Sequence, residues 1–167
     1  MKATRATSNV TSTATPTDKP SEPRGCTNFK LRSLGRVVSR HYDGALTECG
    51  LKTSQYSLLS HVIRLGPLRP IDLARAMNVE ASTLTRNLKP LLTAGYLTQC
   101  EGVDARSRLI TITEAGRAKR AEAQRLWHSA QLELNRILGT DRVLALHRLV
   151  EDSLELLGAD APALQEA

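Results

Sequence analysis

At 167 residues, with 41% apolar and 24% charged side chains, the chain has a one-domain length and enough apolar surface for a core, which excludes wholesale disorder. No apolar run approaches the ~18 residues of a bilayer span, and the opening MKATRATSNVTSTATPTDKP lacks the hydrophobic stretch of a secretory signal, so neither membrane nor leader is expected. The net charge is +6 and the isoelectric point near 9.6; residues 1–24, 25–65 and 66–113 carry +2, +4 and +2, and residues 114–167 carry −2. The basic excess thus sits in the first two thirds, as expected if that part faces a polyanion. Aromatic side chains make up only 3%. That is too few for a stacking platform on single strands, so a nucleic-acid partner would be duplex.

Residues 1–25 hold six Thr, three Ser and three Pro, with Val10 the only large apolar side chain after Met1. Such a stretch cannot offset its ordering entropy, and a disordered arm is expected. A transit peptide (Lys2 and Arg5 among hydroxyls) is the rival reading, opposed by Asp18, Glu22 and the lack of an amphipathic face. From Asn28 the pattern changes. Phe29, Leu31, Leu34, Val37, Val38, Tyr42, Ala45 and Leu46 recur with helical spacing up to a stop at Gly50. Thr53 is expected to cap a second helix ending at Gly66-Pro67, and Pro70 to open a short third one carrying Ile71, Leu73, Ala74 and Met77. After Asn78-Val79 a fourth helix carries Leu84, Leu88, Leu91 and Leu92 on one face and ends at Gly95.

The period then changes. Tyr96–Cys100 and Leu109–Thr113 are β-prone pieces around the polar segment Glu101–Arg108, which reads as a hairpin. Thr113 caps a long helix to Leu138, closed by Gly139. Thr140 is expected to cap a last helix whose apolar face holds Val143, Leu146, Leu149, Val150, Leu154 and Leu157. The chain therefore divides into a disordered arm over 1–25, a folded domain over 26–158 and a frayed tail over 159–167. Within the domain a winged helix-turn-helix occupies about 52–113, between helices at about 28–49 and 114–158. The fold class is mainly α with a two-stranded β-wing.

On the fourth helix the leucines turn one side inward, leaving Ser82, Thr83, Thr85, Arg86 and Lys89 on the other. Hydroxyls and unpaired amides at a helix start, followed by cations, suit phosphates and base edges in a major groove. Arg86 is placed to fork onto a guanine. Taken alone, this face also fits an ordinary solvated helix. The hairpin narrows the choice: Arg106 and Arg108 repel each other at the end of a ribbon unless an anion, such as a narrow minor groove, receives them. Asp104 is expected to hold the Arg106 guanidinium or the loop in place.

These pieces, Asp72-Leu73-Ala74, Ser82-Thr83-Leu84-Thr85-Arg86, Gly95-Tyr96-Leu97, Asp104-Ala105-Arg106 and Thr113-Glu114-Ala115-Gly116, resemble in order and spacing the MarR (multiple antibiotic resistance regulator) family. The resemblance covers about residues 28–157. It implies an obligate-type homodimer with interlocked N- and C-terminal helices, a palindromic duplex-DNA operator and, most often, repression. It further implies release when a small molecule or an oxidant moves the two recognition helices out of register with adjacent major grooves. The residues support the dimer independently. The stripes at 28–49, 114–138 and 141–157 are too long for one small winged domain to cover, and a second copy is the natural cover. Trp127 is expected to pack in the core.

For the trigger, the resemblance implies a crevice between the dimer helices and the winged domain, with Arg36, Arg40, His41, Tyr42, Tyr56 and His61 as the polar candidates for a small anionic or phenolic ligand. His41 and His61 also titrate near neutral pH. The alternative is a thiol trigger at Cys26, flanked by Arg24, Lys30 and Arg32, whose charges would favour the thiolate. Compared with the hydroperoxide-sensing branch of the family, Asn28 stands at the sensing cysteine's place, Cys26 lies two residues early and the partner tyrosine is missing. The cysteines at 26, 49 and 100 are odd in number and far apart, which fits a reducing cytosol rather than a disulfide framework. With the histidines at 41, 61, 128 and 147 they never reach zinc-ligand spacing. No HExxH, GxSxG or phosphate-cradling glycine loop is present, so neither enzyme activity nor a cofactor is expected. A winged-helix adaptor that binds protein instead of DNA, and a Cys26 peroxidase, are the readings from other classes.

Overall fold

A computed structural model describes residues 24–102 and 108–158. The arm up to residue 23, the tail from 159 and the loop residues 103–107, with Asp104 and Arg106, lie outside the described residues. Six helices and a two-stranded wing follow one another as α1 (Thr27–Leu46), α2 (Thr53–Leu65), α3 (Pro70–Ala76), α4 (Ala81–Thr93), β1 (Leu97–Glu101), β2 (Arg108–Ile112), α5 (Glu114–Leu138) and α6 (Thr140–Leu156). The expected winged helix-turn-helix is there.

The punctuation of the chain is mostly local chemistry. A 3-10 turn over Thr47–Cys49 tightens the end of α1 before Gly50 turns into the left-handed region at φ +71°. Two expected caps are corrected. Lys52, not Thr53, is the N-cap of α2, because its amide already donates to Gln55 Oε1 (2.9 Å). Thr53 is the first helical residue instead, and its amide and its hydroxyl both donate to Asp43 Oδ1, each at 2.7 Å. The carboxylate of one helix thus satisfies the start of the next. Likewise Gly139, in a conformation open to glycine (φ +83°, ψ +136°), precedes α6 and Thr140 lies within it. Thr113 caps α5 as expected: its Oγ1 accepts from the Gly116 amide (3.0 Å) and donates to Gly95 O (2.7 Å).

The core lies in the winged unit. Leu58, Leu59 and Val62 of α2, Leu73 of α3, Leu84, Leu88 and Leu91 of α4, Leu97 of β1 and Ile110 of β2 are buried together with Leu46 and Ala123 from the flanking helices. The wing pairs antiparallel from Leu97↔Ile112 to Glu101↔Arg108. A third short piece joins it: Leu68 pairs with Ile110 through hydrogen bonds of 3.2 and 2.8 Å, fixing the wing to the segment before α3. Only Gly116, Ala123 and Ala130 of the 25-residue α5 are buried, at intervals of one heptad. Small side chains there let neighbouring backbone come close. A Cβ on Gly116 would stand 2.0 Å from the Tyr96 carbonyl oxygen.

Candidate functional site

The turn between α3 and α4 is closed by Val79 N–H to Ala74 O (3.0 Å), with Asn78 at φ +50°, a conformation Asn tolerates better than most side chains. Behind it Leu84, Leu88 and Leu91 fix the roll of α4. Ser82, Thr85, Arg86 and Lys89 are left exposed, while Thr83, expected on the same face, is half-buried beside Leu84. Glu80 at the N-cap makes no side-chain hydrogen bond to the first turn, so amides there stay available to an anion. The Thr85 hydroxyl donates to Ala81 O (2.8 Å), and Asn87 leaves this face to accept from Ser54 on α2 (3.3 Å). Pro90 has no N–H, so the Arg86 carbonyl has no helical partner one turn on.

Beside this face, Arg69 grips Asp72 through Nε (2.6 Å) and Nη2 (3.0 Å), and Arg75 reaches the same carboxylate at 3.5 Å. The Arg69 hydrogen bond holds the Asp72 carboxyl below its usual range. The cluster escapes a reading of α3 that follows only its apolar residues, although the spacing of three residues contains the signal. On the wing, Arg108 is exposed at the start of β2, in register with Glu101.

The expected ligand residues separate into two groups. Tyr42 of α1 and Tyr56 of α2 each stack on Trp127 of α5, with ring centroids 6.2 and 5.9 Å from the indole. His41 meets the Tyr42 ring edge-on at 5.6 Å, and its Nε2 lies 2.8 Å from Ala130 O. The Tyr42 hydroxyl donates to Gln131. Burial pushes both tyrosine hydroxyls up; at Tyr56 the nearby Arg120 charge and Ser60 hydroxyl pull the other way. Arg120 spans the cluster, its guanidinium 5.8 Å from the Tyr56 ring centre and its Nε 3.2 Å from Ser60 Oγ. The Tyr56 hydroxyl lies near Ser60 without regular hydrogen-bond geometry and, like His61 Nε2, is buried with no partner among the described residues. His61 Nδ1 lies 2.8 Å from Ser57 O, and burial lowers its pKa from 6.5. Trp127 and Arg120 were not among the expected ligand residues, since what joins them to Tyr56 is contact across more than sixty residues of chain.

Arg36 and Arg40 stand apart from this cluster, exposed on α1 along an open groove with Arg32, Gly35 and Ser39. Cys26 is exposed just before α1, Cys49 is buried, and Cys100 is half-buried on β1. Among the described residues no group of His, Cys, Asp and Glu is placed to hold a metal, and no helix is long and apolar enough to cross a membrane.

Known proteins share this arrangement. Residues 50–107 match a MarR family model. A curated relative, the uncharacterized HTH-type transcriptional regulator YwoH of Bacillus subtilis, is 29% identical over 93 residues, covering 56% of this chain and 68% of its own. Among solved structures, the transcriptional regulator MosR of M. tuberculosis is similar at 29% identity and a TM-score of 0.66, over 78% of this chain and 96% of that one. A mutant MarR from E. coli complexed with operator DNA has the same fold at 22% identity and a TM-score of 0.70, over 76% and 92%. Sequence similarity to the MarR family over the central segment and architecture over most of the chain converge, and the chain has the winged-helix fold of MarR structures.

Proposed function

We propose that the protein is a dimeric transcriptional repressor that binds a pseudo-palindromic operator in double-stranded DNA and is released from it by a small anionic or phenolic ligand. The observation that carries this reading is the face of α4: three buried leucines fix its roll while Ser82, Thr85 and Arg86 in its first half and Lys89 beyond them stand in solvent. In a major groove, Arg86 would read a base edge while the hydroxyls, Lys89 and the first amides hold phosphates. Arg108, with Arg106 of the adjoining loop, would enter the neighbouring minor groove, Asp104 holding the Arg106 guanidinium or the loop in place. A mutant MarR of the same fold is known in complex with operator DNA, which supports the docking. The test is a footprint on the duplex flanking the protein's own gene. Arg86→Ala should weaken that site by ~1–3 kcal/mol and relax its sequence preference; a variant that binds as tightly and as selectively as the parent would remove the recognition role of α4.

The effector in this reading is a small aromatic acid or phenol at the Tyr42–Trp127–Tyr56 stack. Two rings offer apolar faces there, Arg120 supplies a cation, and the Tyr56 hydroxyl lacks a partner. Quenching of the Trp127 fluorescence by a panel of aromatic acids, with release of the footprint at the same concentrations, would identify it.

A further inference from the structure

At the start of α3 two cations converge on one carboxylate. Arg69 is the N-cap of α3, its carbonyl accepting from the Asp72 and Leu73 amides at 3.1 and 3.0 Å. Leu68, which precedes it, is bonded to Ile110 of β2, so the Arg69 backbone is held from both sides. Its side chain is held as well. Asp72 accepts from Nε and Nη2 as a fork, and Arg75, one turn on, approaches Oδ1 of the same carboxylate at 3.5 Å. An exposed pairing of this kind adds little to stability; what it provides is two guanidinium groups in fixed places. Their side chains are still 57% and 73% exposed, and each keeps N–H groups that no acceptor among the described residues takes. Arg75 also borders, with Asn78 and Glu80, an open hollow of about 260 Å³ in the turn ahead of α4. Glu80 makes no ion pair among the described residues, so both cations answer to Asp72 alone. The cluster therefore reaches from the wing strand to the turn that leads into α4.

We infer that Arg69 and Arg75, held in place by Asp72, grip the phosphates of the DNA backbone beside the groove that α4 enters. The inference rests on the DNA-binding reading above and adds to it two contacts outside α4 and the wing, with Asp72 as their positioning residue. In a helix-turn-helix the first helix crosses the backbone while the second lies in the groove, and α3 is that first helix. A phosphate oxygen offers lone pairs to N–H groups of both guanidiniums, and its charge removes their mutual repulsion. An acid next to DNA ordinarily weakens binding. Asp72 acts the other way: its carboxyl, kept low by the Arg69 hydrogen bond, stays charged and orders both side chains before the duplex arrives.

The experiment uses the full chain, the footprinted operator and a scrambled duplex of equal length, with affinity measured across a salt titration for wild type, R69Q, R75Q and D72N. Each arginine variant should bind both duplexes about tenfold more weakly at low salt, and the slope of log affinity against log salt should fall by about one. D72N is the sharpest form, because it deletes a negative charge beside a polyanion. Simple repulsion predicts tighter binding; positioning predicts operator binding about threefold weaker at an unchanged melting temperature. In an R69Q/R75Q background, where Asp72 has nothing left to place, D72N should cost nothing. Arginine variants with the wild-type affinity and slope, or a D72N that binds more tightly than wild type, overturn the inference and leave the recognition face of α4 standing. Should D72N melt earlier than wild type, the two arginine variants decide alone. A wild type that binds neither duplex would overturn the DNA-binding reading, and this grip with it.

Discussion

The winged unit and the outer helices are built on opposite principles. From Leu58 to Ile110 nearly every large apolar side chain at a helix- or strand-facing position is covered, several of them completely. In α6 only Val143 is buried, and the first half of α1 has no buried residue at all. The wing side therefore holds its shape through its own packing, while the outer helices carry apolar surface whose burial needs another molecule. The chain thus has one part covered by its own residues and one whose apolar faces its own residues leave bare.

Mutations should separate the two in order of cost. Leu84→Ala empties a fully buried site behind α4 and should lose ~2–5 kcal/mol in urea unfolding; a loss below 1 kcal/mol would mean that the core is looser than its burial suggests. Gly116→Ala forces a methyl group against the Tyr96 carbonyl and should cost ~1–3 kcal/mol, read as a lower melting temperature. A smaller effect follows from His61, whose folded-state pKa lies below 6.5 chiefly through burial, with the Ser57 carbonyl opposing and the Arg64 charge reinforcing the shift. As pH falls, the unfolded chain takes up this proton first. Its contribution is whole above 6.5 and drains away on acidification from there until the native ring also titrates. His61→Gln should flatten stability against pH in that interval. Smallest of all, Leu149→Ala should change the unfolding free energy of the single chain by no more than ~0.5 kcal/mol, measured at concentrations low enough for the proposed dimer to dissociate.

Much of this contrast is readable in the sequence, because helices and strands announce themselves through near neighbours. The leucines at 84, 88 and 91 reveal which way α4 faces, and the glycines at 50, 66 and 95 mark where helices stop. The Thr113 cap was legible for the same reason. What escaped depends on residues far apart in the chain. Thr53 looks like a cap until Asp43, ten residues earlier, is seen accepting both of its hydrogens. The Leu68–Ile110 bridge is a strand of one residue and has no period to detect. Arg120 lies among ordinary helical charges, and only its contact with Tyr56 and Ser60, sixty residues away, gives it a place beside the aromatic stack.

The Asp43 carboxylate also couples motion. It rides on the last turns of α1 and holds the first residue of α2 by two short bonds, and Tyr56, one turn further, leans on Trp127. A tilt of α1 cannot leave the start of α2 behind without breaking both bonds. The joint is therefore stiff where a linker would be slack, and any strut that swings the outer frame drags with it the helix on which the α4 leucines rest.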